Sequence, residues 1–199
     1  MPTVVIASPK GGAGKSTTAV LLGTELAHAG ASVVMLDCDP NHSLTLWADR
    51  APLPDRIKVL SNVAESDIVK TIKQHDTDGQ IVVVDLEGVA SRLVSRAISQ
   101  ADLVITPMRA TTLDATIGVR ALQLIAEEEE ALDRRIPHAV VFTMTKAVRS
   151  KQHTGIAESL AAQGVDLIDP PLMERAAFSA LFEFGGNLRS MPAQGNMDG

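Results

Sequence analysis

The chain contains no tyrosine, one tryptophan and four phenylalanines, so aromatic side chains make up only 3% of its 199 residues. Its core must be built from Val, Ile, Leu, Ala and Met, which suits a parallel sheet covered by helices. Cys38 is the only cysteine, which excludes an intrachain disulfide and removes an iron–sulfur reading. No apolar run approaches bilayer-spanning length, and the N-terminus enters a strand-like stretch without the basic and apolar regions of a signal peptide. A cytoplasmic protein is expected. Excess positive charge is also missing: the net charge of −6 argues against a globally basic nucleic-acid binder and leaves room only for a local basic patch.

What the chain does have is glycine and lysine at one place. Pro9-Lys10-Gly11-Gly12-Ala13-Gly14-Lys15-Ser16-Thr17 follows an apolar β-like run, Thr3 to Ala7, and precedes an apolar-periodic helix. Gly11, Gly12 and Gly14 let the backbone adopt conformations closed to other residues, so that successive N–H groups, those of Ala13, Lys15, Ser16 and Thr17 included, can turn towards phosphate oxygens. Lys15 brings a compact positive charge to a polyphosphate, Ser16 offers a hydroxyl to Mg²⁺, and the helix N-terminus adds partial positive charge.

The rest of the chain alternates strand-like and helix-like stretches. Ser32 to Leu36 leads to Asp37-Cys38-Asp39-Pro40, and Ile81-Val82-Val83-Val84 ends at Asp85, the pattern of buried strands delivering acids to one sheet edge. Further strands are expected at Ile57 to Leu60, Leu103 to Pro107, Ala139 to Thr143 and Val165 to Ile168. Helices are expected at Asn41 to Ala48, Ala64 to Gln74, Val89 to Gln100, Thr112 to Leu132, Thr154 to Gln163 and Ala176 to Phe184. The predicted fold is one doubly wound α/β domain over 1–184, a P-loop nucleotide-binding fold, with a disordered tail over 185–199. Glu127 to Glu130 reads as a solvated helix face, and Cys38 as a small filler between two acids.

Asp85 is the candidate to hold Mg²⁺ through water while Ser16 supplies a direct oxygen. Asp37 and Asp39, at an i, i+2 spacing, fall on one side of an extended segment, although either also stands where a helix cap would for the segment starting near Asn41.

The lysine at position 10, ahead of the glycines, makes the loop resemble the deviant Walker A motif of the ParA/MinD family of P-loop ATPases. Asp37-Cys38-Asp39-Pro40 resembles that family's Asp-x-Asp-Pro motif, and Asp85-Leu86-Glu87-Gly88 its Walker B region. Glu87 stands where the family commonly has a small residue or proline. It reads as a solvent-facing residue first, and otherwise as a lysine partner or a water-positioning base. Pro107 to Asp114 resembles the segment before a helix near the family's dimer interface. Pro170 to Phe178 resembles the late Glu-Arg-x-x-Phe segment of small ParA proteins and of the VirC-type protein of T-DNA transfer.

The resemblance implies ATP and Mg²⁺ as cofactors, with Lys10, Lys15 and Asp39 as catalytic residues and Ser16, Asp37 and Asp85 at the metal. Thr143 and Thr145 lie where relatives place adenine-contacting groups. It further implies an ATP-dependent sandwich homodimer in which Lys10 reaches the partner's phosphates. Slow hydrolysis would be stimulated by a small adaptor or centromere-binding protein of the ParB/ParG kind. The ATP dimer would bind DNA non-specifically and associate with the nucleoid, and the system would position a plasmid, a chromosome locus or a protein cargo. Lys146, Arg149, Lys151 and Arg189 are the candidate DNA contacts, the first three forming a local cluster. The C-terminal end carries no apolar stripe for membrane recruitment, and there is no room before Thr3 for a helix-turn-helix domain. Two other readings remain: an ATP-dependent metabolic synthetase of related fold, and a VirC-like accessory scaffold in conjugative DNA transfer.

Overall fold

Seven strands and seven helices alternate in the computed structural model, which describes residues 2–77, 79–88 and 91–190. In chain order they are β1 (Thr3–Ile6), α1 (Lys15–His28), β2 (Ser32–Cys38), α2 (Ser43–Arg50), β3 (Ile57–Leu60), α3 (Ile68–His75) and β4 (Gln80–Leu86). There follow α4 (Arg92–Ile98), β5 (Leu103–Arg109), α5 (Thr112–Leu132), β6 (His138–Thr143), α6 (Lys151–Ala162), β7 (Asp166–Ile168) and α7 (Ala176–Phe184). The strands form one parallel sheet in the order β3-β2-β4-β1-β5-β6-β7. This is the doubly wound α/β fold expected from the alternation of elements.

Strand periodicity sorts the core into layers. Val5, Val34, Leu36, Val82 and Val84 face Ile68 and Ile72 of α3, Val94 and Ile98 of α4 and Ile125 of α5. Their sequence neighbours Val4, Ile6, Val33, Met35 and Val83 point the other way, onto Ala19 and Val20 of α1, Leu44 and Trp47 of α2 and Leu181 of α7. A third cluster packs α6, through Leu160 and Ile156, against Val140 and Phe142 of β6. Both sheet faces are therefore covered, as a parallel sheet of apolar strands requires.

Several boundaries move from their expected places for local reasons. β2 continues past Leu36 through Asp37 and Cys38 because these pair in register with Asp85 and Leu86. β5 runs through Pro107 to Arg109. α6 starts at Lys151, earlier than Thr154, because the Ser150 hydroxyl accepts the His153 N–H at 3.1 Å and caps it. α3 starts at Ile68, later than Ala64, and α4 at Arg92; residues 89 and 90, inside the stretch expected to begin it, lie outside the described residues.

The C-terminal segment also differs. Contacts continue past Phe184, where order was expected to end. Trp47 donates its indole N–H to the Gly186 carbonyl at 2.9 Å, Leu188 packs on the α1–α2 side of the core, and Arg189 pairs with Glu25 of α1. The disorder expected over 185–199 does not cover 185–190, and 191–199 lie outside the described residues.

Candidate nucleotide site

Register brings the acids to one edge. Asp85 lies level with Asp37 of β2 and Ile6 of β1, so the loop leaving β1 starts at the sheet edge that carries the two carboxylates. In that loop Gly12 and Gly14 have φ of 70° and 90°, values that L side chains rarely adopt. α1 follows with no capping side chain, which leaves its first-turn N–H groups to an anion. The Lys15 side chain is buried, with its Nζ 3.5 Å from the Lys10 carbonyl.

These residues line a cavity of about 450 Å³ bounded by Gly11, Gly12, Gly14, Lys15, Ser16, Thr17, Asp39, Asn41, Glu87 and Gly88, with Met144 and Phe182 at its margin. Gly88 fits tightly. A Cβ there would lie 3.0 Å from Gly11 N and 3.2 Å from Lys15 Nζ, so a larger residue would have to push the loop back by a few tenths of an ångström.

The three aspartates have different surroundings. Asp85 is fully buried, and neither carboxylate oxygen has a hydrogen-bond partner among the described residues. Burial pushes its carboxyl up to about 7; the Ser16 hydroxyl and Lys15 nearby pull the other way, and Asp37 and Asp39 add to the rise. An orphaned buried carboxylate beside a serine hydroxyl fits a divalent cation, which would supply the charge that the pocket lacks. Asp37 instead accepts the N–H and hydroxyl of Thr45, at 2.8 and 2.6 Å, and so fastens the first turn of α2. Its other oxygen accepts the Asp39 N–H at 3.3 Å. Asp39 accepts the backbone and side-chain N–H groups of Asn41 at 2.8 Å on Oδ1, and among the described residues no hydrogen bond reaches Oδ2. Burial, with Asp37 and Asp85 beside it, pushes the Cys38 thiol up to about 12, so it stays an inert thiol.

Lys10 does not line the cavity. Its Nζ sits 2.5 Å from Asp114 Oδ1 at the start of α5, and Thr111 donates its hydroxyl to Asp114 Oδ2 at 2.6 Å while accepting the Asp114 N–H. Burial pushes the Asp114 carboxyl up, but the hydrogen bonds from Lys10 and Thr111 outweigh it and hold the carboxyl below its ordinary value. Arg109, at the end of β5, donates to the Gly12 carbonyl at 3.4 Å.

Beside the cavity opens a chamber of about 180 Å³, mostly apolar, between Thr143 and Met144 on one side and Leu172, Met173, Arg175, Phe178 and Phe182 on the other. It shares Gly14, Thr17, Met144 and Phe182 with the cavity and has room for a flat heteroaromatic ring. Thr143 borders it, but the Thr143 hydroxyl donates to the Ala13 carbonyl at 2.8 Å and latches β6 to the loop. Thr145 borders neither space. Its backbone N–H donates to the Leu172 carbonyl, its own carbonyl accepts the Glu174 N–H, and it pairs with Met173 in a bridge. Sequence reasoning missed Met144, Met173, Phe178 and Phe182; the resemblance drawn at Pro170 to Phe178 was the available signal.

The basic residues do not converge on one surface. Lys146, Arg149 and Lys151 are exposed beyond the C-terminal end of β6, and Arg149 pairs with Asp169 at 2.5 Å. Arg189 lies beside His28 and Arg56, where β2 and β3 begin, at the opposite edge of the sheet, and is held by Glu25 at 2.7 Å. No helix among the described residues is long and apolar enough to cross a membrane.

Known proteins resemble the chain at both levels. The family described as VirC1 protein matches residues 1–192. Protein ParA of Rhizobium radiobacter is 69% identical over 199 residues, 99% of this chain and 90% of that protein. The structure of apo McdA from Cyanothece superposes with a TM-score of 0.80 at 20% identity, covering 95% of this chain and 92% of the other. Cobyrinic acid a,c-diamide synthase from Mycobacterium smegmatis, solved with an ATP analogue and magnesium, superposes with a TM-score of 0.73 at 19% identity, covering 92% of each chain. With its second loop lysine, its acid-bearing strand ends and these relatives, the chain belongs to the VirC1 protein family within the ParA/MinD-type P-loop ATPases.

Proposed function

We propose that the chain is a ParA-type partition ATPase that binds ATP with Mg²⁺, forms an ATP-dependent homodimer and hydrolyses ATP slowly until an adaptor protein stimulates it. The observation that carries this reading is the cavity itself: a buried lysine, an uncapped helix N-terminus and a partnerless buried aspartate meet at one end, and an apolar chamber opens at the other. A polyphosphate at the first end and an adenine in the second fit that polarity.

Ser16 and Asp85 are the residues to hold Mg²⁺, which supplies charge neutralisation on the β- and γ-phosphate oxygens when bound. Lys15 holds the phosphates, and Asp39, fixed through Oδ1 by Asn41, offers Oδ2 to orient a water for attack on the terminal phosphorus. Asp37 supports this arrangement by anchoring α2. Lys10, carried at the loop's front on Asp114, is the residue to reach a second subunit's phosphates. ATP then makes two subunits complementary face to face, and hydrolysis removes the charge that holds them.

The non-specific DNA contact falls to Lys146 and Lys151, with Arg149 once it leaves Asp169; Arg189 has no part in that surface. The localisation that follows is cytoplasmic and, with ATP, nucleoid-bound. The test is light scattering for subunit mass together with binding to random-sequence duplex DNA at low and moderate salt, with ATP, ADP or no nucleotide. Dimerisation and salt-sensitive DNA binding with ATP alone are expected. The VirC1 family match favours a second reading, an accessory scaffold, and ATP-dependent dimerisation without turnover or DNA binding would select it.

A further inference from the structure

We propose that Glu87 is a specificity-determining residue that biases the isolated subunit against the nucleotide carrying a terminal phosphate, so that triphosphate binding depends on added positive charge. The inference rests on the nucleotide reading above. The cavity has direction. Its apolar chamber lies past Gly14 and Thr17 toward Met144 and Phe182, while Lys15, Asp39, Glu87 and Gly88 bound the other end. A nucleotide seated with its base in the chamber therefore points its last phosphate at the Glu87 end.

The backbone after Glu87 lies against that end: a Cβ at Gly88 would fall 3.0 Å from the Gly11 nitrogen and 3.2 Å from the Lys15 ammonium, which places Glu87 beside the loop. Glu87 borders the cavity on one side and a smaller space of about 150 Å³, lined by Pro9, Val94 and Arg120, on the other. It forms no ion pair with any described residue; the pairs among them join Lys10 to Asp114, Arg149 to Asp169 and Arg189 to Glu25. The charged residues lining the cavity are then Lys15 against Asp39 and Glu87, and Asp85 lies buried behind them.

A diphosphate is drawn to Lys15 and the loop N–H groups. A triphosphate adds about one further negative charge next to a half-buried carboxylate that has no cation of its own, and at short range in a partly desolvated site that repulsion changes affinity by roughly tenfold. Glu87 thus ties triphosphate occupancy to whatever brings a cation to the lip, and leaves diphosphate binding nearly untouched.

The test compares fluorescent-labelled ADP with the non-hydrolysable analogue AMPPNP, each with Mg²⁺, on the full chain at concentrations where light scattering shows monomer. The parent should prefer ADP. Glu87→Gln, which keeps the shape and removes the charge, should shift the AMPPNP-to-ADP affinity ratio towards AMPPNP by about tenfold, while Glu87→Asp keeps the parental bias. An unchanged ratio in Glu87→Gln with both ligands bound overturns this inference alone, and an equal loss of both assigns Glu87 a structural role and overturns it too. Failure of the parent to bind either nucleotide overturns the nucleotide reading along with it.

Discussion

Asp85 places a carboxylate where the Ser16 hydroxyl and Lys15 only partly offset the cost of its burial. With an ordinary carboxyl near 3.8 in the unfolded chain and one raised by burial to about 7 in the folded, metal-free protein, the folded state keeps a proton that the unfolded state releases. The group's contribution is therefore fully present below about pH 4 and is lost as pH rises to about 7, a loss on the order of 4 kcal/mol. Asp85→Asn removes this slope. In the presence of EDTA, its urea midpoint should match the parent's near pH 3 and exceed it at pH 8, and equal midpoints at both pH values would count against the burial argument. The variant should also bind Mg-nucleotide poorly, since an amide offers a metal no charge. Asp85 was legible in sequence because a run of four β-branched residues ending in an acid has few other meanings in a buried sheet. Thr145 was less legible: a threonine after a strand looks the same whether its hydroxyl meets a ligand or its backbone fastens a neighbouring segment, as that of Thr145 does.

At the scale of elements, the contact between the glycine loop and the start of α5 joins residues more than a hundred positions apart. Lys10 and Asp114 were each visible as members of motifs, but their pairing was not, because motif spacing carries no information about which loops share a sheet edge. The apolar periodicity that gave α5 and α7 their ends depends only on local burial, and there sequence and structure agree. Asp114 also serves its own helix through Thr111, so its removal acts twice. Asp114→Ala should leave the Lys10 ammonium unpaired and take away the acceptor of the Thr111 hydroxyl that caps α5, costing about 1–3 kcal/mol in chemical denaturation. Because the folded Asp114 carboxyl sits below its ordinary value, that cost is present above the unfolded carboxyl range and fades as pH falls through it. A variant as stable as the parent at pH 7 would show the pair to be idle.

For the whole molecule, closure of the sheet face beneath α1, α2 and α7 depends on the stretch just past α7. Leu188 completes that layer and the Gly186 carbonyl accepts the indole N–H of the buried Trp47. Truncation after Phe184 should therefore lower unfolding free energy by about 2–3 kcal/mol, read from urea titration, and a chain cut there that unfolds at the parental midpoint would make those contacts incidental. Composition hid this feature: Gly185-Gly186-Asn187 has no periodicity, and order there is conferred by a tryptophan 139 residues earlier.

The same tryptophan has an optical consequence. With no tyrosine in the chain, near-ultraviolet emission comes almost entirely from one indole, seated in α2 between the segment that Asp37 anchors and the helix whose Phe182 borders the cavity. The protein carries its own single-site fluorophore, and its spectrum reads that junction without a label.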